Sequence, residues 1–154
     1  MDRSDRPRVT LAVRRLAHGD GIEAPSLASA GSAGLDVRAA VSQAVVVAPG
    51  ERRRIPTGFS FELPEGWEAQ VRPRSGLASE GLTLTNSPGT IDSDYRGEVM
   101  VLVVNLGDAP IEIRRGDRIA QLVLAPVPRV TVVELDSLSE TERGGGGFGS
   151  TGRN

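Results

Sequence analysis

The 154-residue sequence has no cysteine, no lysine, a single histidine and no long hydrophobic run, and each scarcity removes a class of chemistry. Without cysteine there are no disulfides and no thiolate metal sites. The one histidine, His18, sits in a turn-like His-Gly-Asp-Gly stretch and reads as a surface loop residue. Serine-hydrolase and zinc readings therefore fail on supply. All 18 basic residues are arginine, so the Gly-Lys-Ser/Thr phosphate loop cannot be built. Any triphosphate would be held by guanidinium groups, backbone and metal. A net charge of −2 gives no basic excess for nucleic acid, and no nucleic-acid partner is expected. The stretch MDRSDRPR is charged, with no apolar segment. No signal peptide, membrane span or membrane partner is expected, and the cytoplasm is the expected location.

What the chain does have is a β-rich pattern. Hydrophobic residues make up 38%, enough for one domain with a real core. Runs rich in β-branched residues occupy Val9 to Val13, Val45 to Val47, Phe59 to Leu63, Val99 to Val104, Ile119 to Leu124 and Val130 to Leu135. Pro49-Gly50, Pro64-Glu65-Gly66, Asn105 to Pro110 and Arg115-Gly116-Asp117 punctuate them. Phe59 to Leu63 alternates, predicting one buried and one solvent face. Val99 to Val104 is apolar without alternation, predicting cover on both faces, with another subunit as the candidate for the second. Ser75 to Glu80 has room for a single helical turn. The expected fold is all-β, a distorted jelly roll or barrel over residues 1–138, with a flexible Gly-rich C-terminal arm over 139–154.

Five stretches offer chemistry. RGGGGFGSTG, residues 143 to 152, is either a flexible tail or a polyphosphate contact, since it combines Arg143, Ser150, Thr151 and glycine N–H groups. Arg72-Pro73-Arg74-Ser75-Gly76 is an anion cradle or an ordinary polar turn. NSPGTIDSDYRG, residues 86 to 97, holds Asp92, Asp94 and the only tyrosine, Tyr95. Its aspartates either cap their own turns or place a base beside a pocket for a small ring. Asp36 enters an apolar strand within Ala33-Gly34-Leu35-Asp36-Val37 and needs a partner. Gln121 interrupts another apolar strand.

Together and in this order, AGLDVRA, PRSG, NSPGTIDSDYRG, RIAQLV and RGGGGFGSTG resemble the five motifs of the trimeric, all-β deoxyuridine triphosphate nucleotidohydrolases (dUTPases). The resemblance spans nearly the whole chain, and Val37 stands where leucine is more usual. It implies hydrolysis of dUTP to dUMP and pyrophosphate, by Mg²⁺-assisted water attack on the α-phosphate. Asp92 matches the general base, a role an ordinary aspartate fills without unusual tuning. Arg74, Ser75, Gly76 and Gln121 match phosphate contacts. Asp36 matches a carboxylate reaching the Mg²⁺ ion through water, with no direct protein ligand implied. Tyr95 matches the ring that packs on deoxyribose and excludes a 2′-hydroxyl. The backbone around Asn86 and Met100 matches the reader of the uracil edge, and Gly89, Thr90 and Ile91 belong to the same substrate-binding hairpin. The tail matches a lid, with Phe148 stacking on uracil and Arg143, Gly149, Ser150 and Thr151 around the substrate. The implied assembly is a homotrimer with shared active sites.

Two rival functions on the same scaffold are a dCTP deaminase and a non-catalytic nucleotide-binding trimer. The deaminases carry a catalytic glutamate at the position of Leu102 and usually tryptophan at that of Tyr95. A non-catalytic relative is expected to have lost the base or the tail, and this sequence keeps both.

Overall fold

The computed structural model describes residues 9–147. In chain order the first strands are β1 (Ala12–Arg15), β2 (Ser26–Leu27), β3 (Leu35–Arg38), β4 (Val45–Val47), β5 (Arg52–Glu62) and β6 (Trp67–Arg72). A one-turn helix, α1 (Ser75–Ser79), follows. The remaining strands are β7 (Leu82–Leu84), β8 (Gly89–Ile91), β9 (Glu98–Asn105), β10 (Ile111–Ile113) and β11 (Arg118–Pro126). They form three antiparallel sheets ordered β1-β5-β9-β7, β2-β3-β11-β6-β8 and β10-β4. One core draws on all three: Ile55, Phe59, Val99, Val101 and Val103 meet Val37, Val71, Ile119 and Leu122, with Val47 and Ile113 from the small sheet. This is the all-β jelly-roll barrel that the strand pattern predicts.

β5 and β9 are the spine. Their register runs from Arg52↔Val104 to Pro56↔Met100 and then slips before Ser60↔Glu98. The slip follows from the residues. Pro56 has no N–H to donate, and Gly58 takes a φ of 76° that an L side chain resists. Thr57, fully buried, donates its hydroxyl to the Val99 carbonyl at 2.7 Å and bridges the gap in the ladder. The Gly58 N–H, turned out of the ladder, donates to Glu98 Oε1 at 2.8 Å. A 3-10 turn at Ala17–Gly19 lies on this bulge so closely that a Cβ on Gly19 or Gly58 would enter the other's backbone. Asn105, also fully buried, closes the far end of β9 by donating to the Val47 and Ala109 carbonyls at 2.8 Å each.

Three readings of the sequence need correction. The first strand lies at Ala12–Arg15 rather than Val9 to Val13. Within Phe59 to Leu63 the alternation fails at Ser60, which is buried because β5 runs between Arg14 of β1 and Glu98 of β9. In β9, Val99, Val101 and Val103 are buried in the chain's own core, and Met100 and Leu102 on the other face are half-buried. Val130 to Leu135 forms no strand: it pairs with no edge among the described residues, and Val130 and Val132 are 78% and 89% exposed. Ser75 to Glu80 does make its helical turn.

Gly58→Ala tests the bulge. The strained φ and the collision with Gly19 together are expected to lower stability by about 2–4 kcal/mol, read from urea denaturation.

Candidate active site

The sheet order β3-β11-β6 brings the first, second and fourth motifs to one place. Gln121 stands opposite Asp36 on one side and Arg72 on the other. Asp36 is 6% exposed, and burying a carboxylate is costly unless it is paired. The pairing is thorough. Arg118 Nη1 lies 3.0 Å from Oδ2, Arg74 Nε 3.3 Å from Oδ1, and Gln121 Nε2 donates to Oδ1 at 3.4 Å. Arg74 also donates to the Arg118 carbonyl at 3.3 Å, which ties β6's exit to β11. Arg74 is the residue before α1, in extended conformation, and Ser75 and Gly76 open the helix exposed to solvent. The first N–H groups of such a turn have no partner within it. Arg38, Arg74 and Arg118 line a cavity of about 410 Å³ beside this network. Arg38 also pairs with Glu23 at 2.7 Å, and hydrogen bonds from Ser26 and Arg38 lower the pKa of that carboxyl.

The third motif builds a different cavity. β8 pairs with β6 as Ala69↔Ile91, Gln70↔Thr90 and Val71↔Gly89, which carries the chain to Asp92 at the sheet's edge. A turn closed by Tyr95 N–H to the Asp92 carbonyl, at 3.2 Å, folds the ring back. Tyr95, 44% exposed, donates its hydroxyl to the Glu98 carbonyl at 3.0 Å. Thr90, Ile91, Asp92, Tyr95 and Met100 line a pocket of about 290 Å³ together with Arg54, Glu98 and Leu102. Asp92 also borders a wider groove of about 850 Å³ with Trp67 and Asp94, so it stands on the ridge between the two. Asp94 lines the groove and not the Tyr95 pocket.

The sequence-predicted residues thus fall into two clusters. Asp36, Arg74 and Gln121 meet in the first, with Ser75 and Gly76 following Arg74. Thr90, Ile91, Asp92, Tyr95 and Met100 meet in the second. Asn86 and Gly89 lie on the β7–β8 turn and the start of β8, and do not line the Tyr95 pocket. Arg143 is exposed and donates to the Gly146 carbonyl at 2.8 Å. Phe148, Gly149, Ser150 and Thr151 lie outside the described residues. Sequence reasoning overlooked Arg118 as a partner of Asp36, although its motif includes that arginine, and overlooked Arg54 and Glu98 in the pocket. Arg54 carries no local signal, being one of three consecutive arginines.

The chain matches known proteins along most of its length. A family model described as dUTPase covers residues 20–152. This chain belongs to the dUTPase family. It is 58% identical over 148 residues to the deoxyuridine 5'-triphosphate nucleotidohydrolase of Rhizobium rhizogenes, spanning 94% of this chain and 95% of that one. It is 56% identical over 145 residues to the protein of that name from Beijerinckia indica, spanning 92% and 91%. Among solved structures, the dUTPase of Staphylococcus bacteriophage 80alpha with dUpNHpp superposes with a TM-score of 0.84 at 27% identity, covering 94% of this chain and 99% of that one.

Asp36→Ala tests what holds the first cluster of this dUTPase family member. It leaves Arg74 and Arg118 without their shared carboxylate. Both guanidiniums are partly solvated, so the expected loss of stability is about 1–3 kcal/mol, measured by urea denaturation.

Proposed function

We propose that this chain hydrolyses dUTP to dUMP and pyrophosphate, keeping uracil out of DNA and supplying dUMP for thymidylate synthesis. The observation that carries the reading is the meeting of Asp92 with Tyr95, Met100 and Leu102 in one pocket, within a chain of the dUTPase family. Asp92 takes a proton from water as the water oxygen bonds to the α-phosphorus. The bond from that phosphorus to the bridging oxygen breaks, and pyrophosphate leaves. Such a transfer asks chiefly for positioning and charge compensation. Arg74, Ser75, Gly76 and Gln121 hold the phosphates. Tyr95 packs on the sugar, Gly89, Thr90 and Ile91 wall the hairpin, and the backbone around Asn86 and Met100 reads the base. The tail, through Arg143, Phe148, Gly149, Ser150 and Thr151, closes over the nucleotide.

The donor set suits a cation brought by the substrate. Asp36 is the one carboxylate in the phosphate cluster, and both of its oxygens already face Arg118, Arg74 or Gln121. Among the described residues no three acidic or histidine side chains gather into a cage. We infer that Asp36 would reach Mg²⁺ through water, the ion arriving with the triphosphate. When bound, Mg²⁺ offsets charge on the triphosphate.

We infer a homotrimer whose sites are shared between chains, located in the cytoplasm, with a barrel over 1–138 and an arm over 139–154. Two observations support the assembly. The Arg74 cavity and the Tyr95 pocket have no lining residue in common. The apolar side chains of Val130, Val132, Val133, Leu135 and Leu138 stand exposed after the last strand. The deaminase reading is disfavoured, because Leu102 faces the pocket at the position where that activity needs a carboxylate.

The test is pyrophosphate release from dUTP, with ATP, dTTP and dCTP as controls, in wild type and Asp92→Asn. Wild type is expected to act on dUTP alone. Asp92→Asn is expected to keep nucleotide affinity and lose roughly 10²–10⁴ in kcat. Wild-type turnover in Asp92→Asn, with loss in Asp94→Asn instead, would assign the base to Asp94.

A further inference from the structure

We propose that His18 is a positioning residue for the Tyr95 ring, acting through Glu98, and that it thereby sharpens the choice of deoxyribose over ribose. The inference rests on the dUTP-hydrolase reading and deepens it.

Tyr95 is nearly half exposed, so packing alone does not fix its ring. Two features do. The ring lies over Gly97, where a Cβ would fall on the phenol oxygen. The hydroxyl donates to the Glu98 carbonyl at 3.0 Å. The hydroxyl's hold on the ring is therefore only as firm as Glu98.

Glu98 begins β9 at the slipped end of the β5–β9 ladder, where the register has just broken. Its side chain supplies the missing restraint. Oε1 accepts the Gly58 N–H at 2.8 Å and also faces His18 Nε2 at 2.8 Å. A carboxylate can only accept, so Nε2 carries the proton, in the neutral tautomer or the imidazolium. A hydrogen bond to a charged group is stronger than a neutral one.

The turn bearing His18 is itself anchored. Arg115 donates to the carbonyls of His18 at 2.9 Å, Asp20 at 2.6 Å and Val41 at 3.3 Å. Arg15 donates to the Gly19 carbonyl at 2.5 Å. A continuous line of contacts thus runs from Arg115 through the His18 turn to Glu98 and on to the phenol in the pocket. The His18 side chain is 47% exposed, so losing its nitrogen uncovers little core. Its effect should appear at the sugar rather than in stability.

The test compares three variants with wild type on dUTP and UTP. His18→Ala removes the ring, and His18→Phe keeps the ring but no nitrogen. His18→Gln restores an N–H donor. Ala and Phe are expected to raise KM for dUTP and to narrow the dUTP-to-UTP ratio of kcat/KM by about three- to tenfold, with kcat for dUTP within about twofold of wild type. Gln is expected to recover most of that ratio. Should His18→Ala not fold, the Phe and Gln pair makes the same comparison. An unchanged ratio in the folded Ala and Phe variants, or an equal loss in Gln, overturns the proposal. Wild-type protein inactive on dUTP would overturn the functional reading beneath it instead.

Discussion

The carboxylate of Asp36 lies inside a strand with almost no solvent, and its charge has to be balanced within the chain. In a sequence without lysine the balance comes from guanidinium groups, which offer several donors in a fixed plane. Arg118 supplies one from the neighbouring strand and Arg74 another from the turn before α1. One buried charge thereby ties three separated stretches of sequence together. It also leaves Arg74 oriented at the mouth of a cavity, with Ser75 and Gly76 beside it. The cost of burying Asp36 and the positioning of the Arg74 guanidinium are two sides of the same arrangement.

Much of this was legible in the sequence. The all-β class followed from short β-branched runs between turn residues, and the need of Asp36 for a partner followed from its apolar neighbours. The failures have physical causes. Only Phe59 to Leu63 reads as strand there, yet β5 begins at Arg52, because pairing with β9 carries it past Pro56 and Gly58 through a bulge bridged by Thr57. Val130 to Leu135 reads as strand because local preference is strong, yet a strand also needs an edge to pair with. The link from His18 to Glu98 spans 80 positions, a separation at which no local pattern reports a contact.

The site is organised as two half-sites. The hairpin carries the Asp92 carboxylate and the Tyr95 ring, and the Asp36 cluster carries guanidiniums and an amide. A nucleoside triphosphate has a neutral end of base and sugar and a highly charged one. The pocket beside Tyr95 is bounded by Met100 and Leu102, with Arg54, Asp92 and Glu98 also in its lining. The cavity beside Arg74 and Arg118 is lined by a third guanidinium, Arg38, together with the carboxylates of Glu112 and Asp117. Exposed apolar residues beyond Pro126 add a surface that assembly would cover.

The most direct measurement of this account is activity after mixed refolding. Asp92→Asn and a truncation after Glu142, each inactive alone, are unfolded and refolded together in equal amounts. In a closed ring where the phosphate cluster, the hairpin and the arm come from three different chains, a working site needs a truncated chain's hairpin and a full-length chain's arm. About a quarter of sites should then revive, one half times one half. Activity no higher than that of each variant refolded alone, with mixed trimers confirmed by mass, would contradict the shared site.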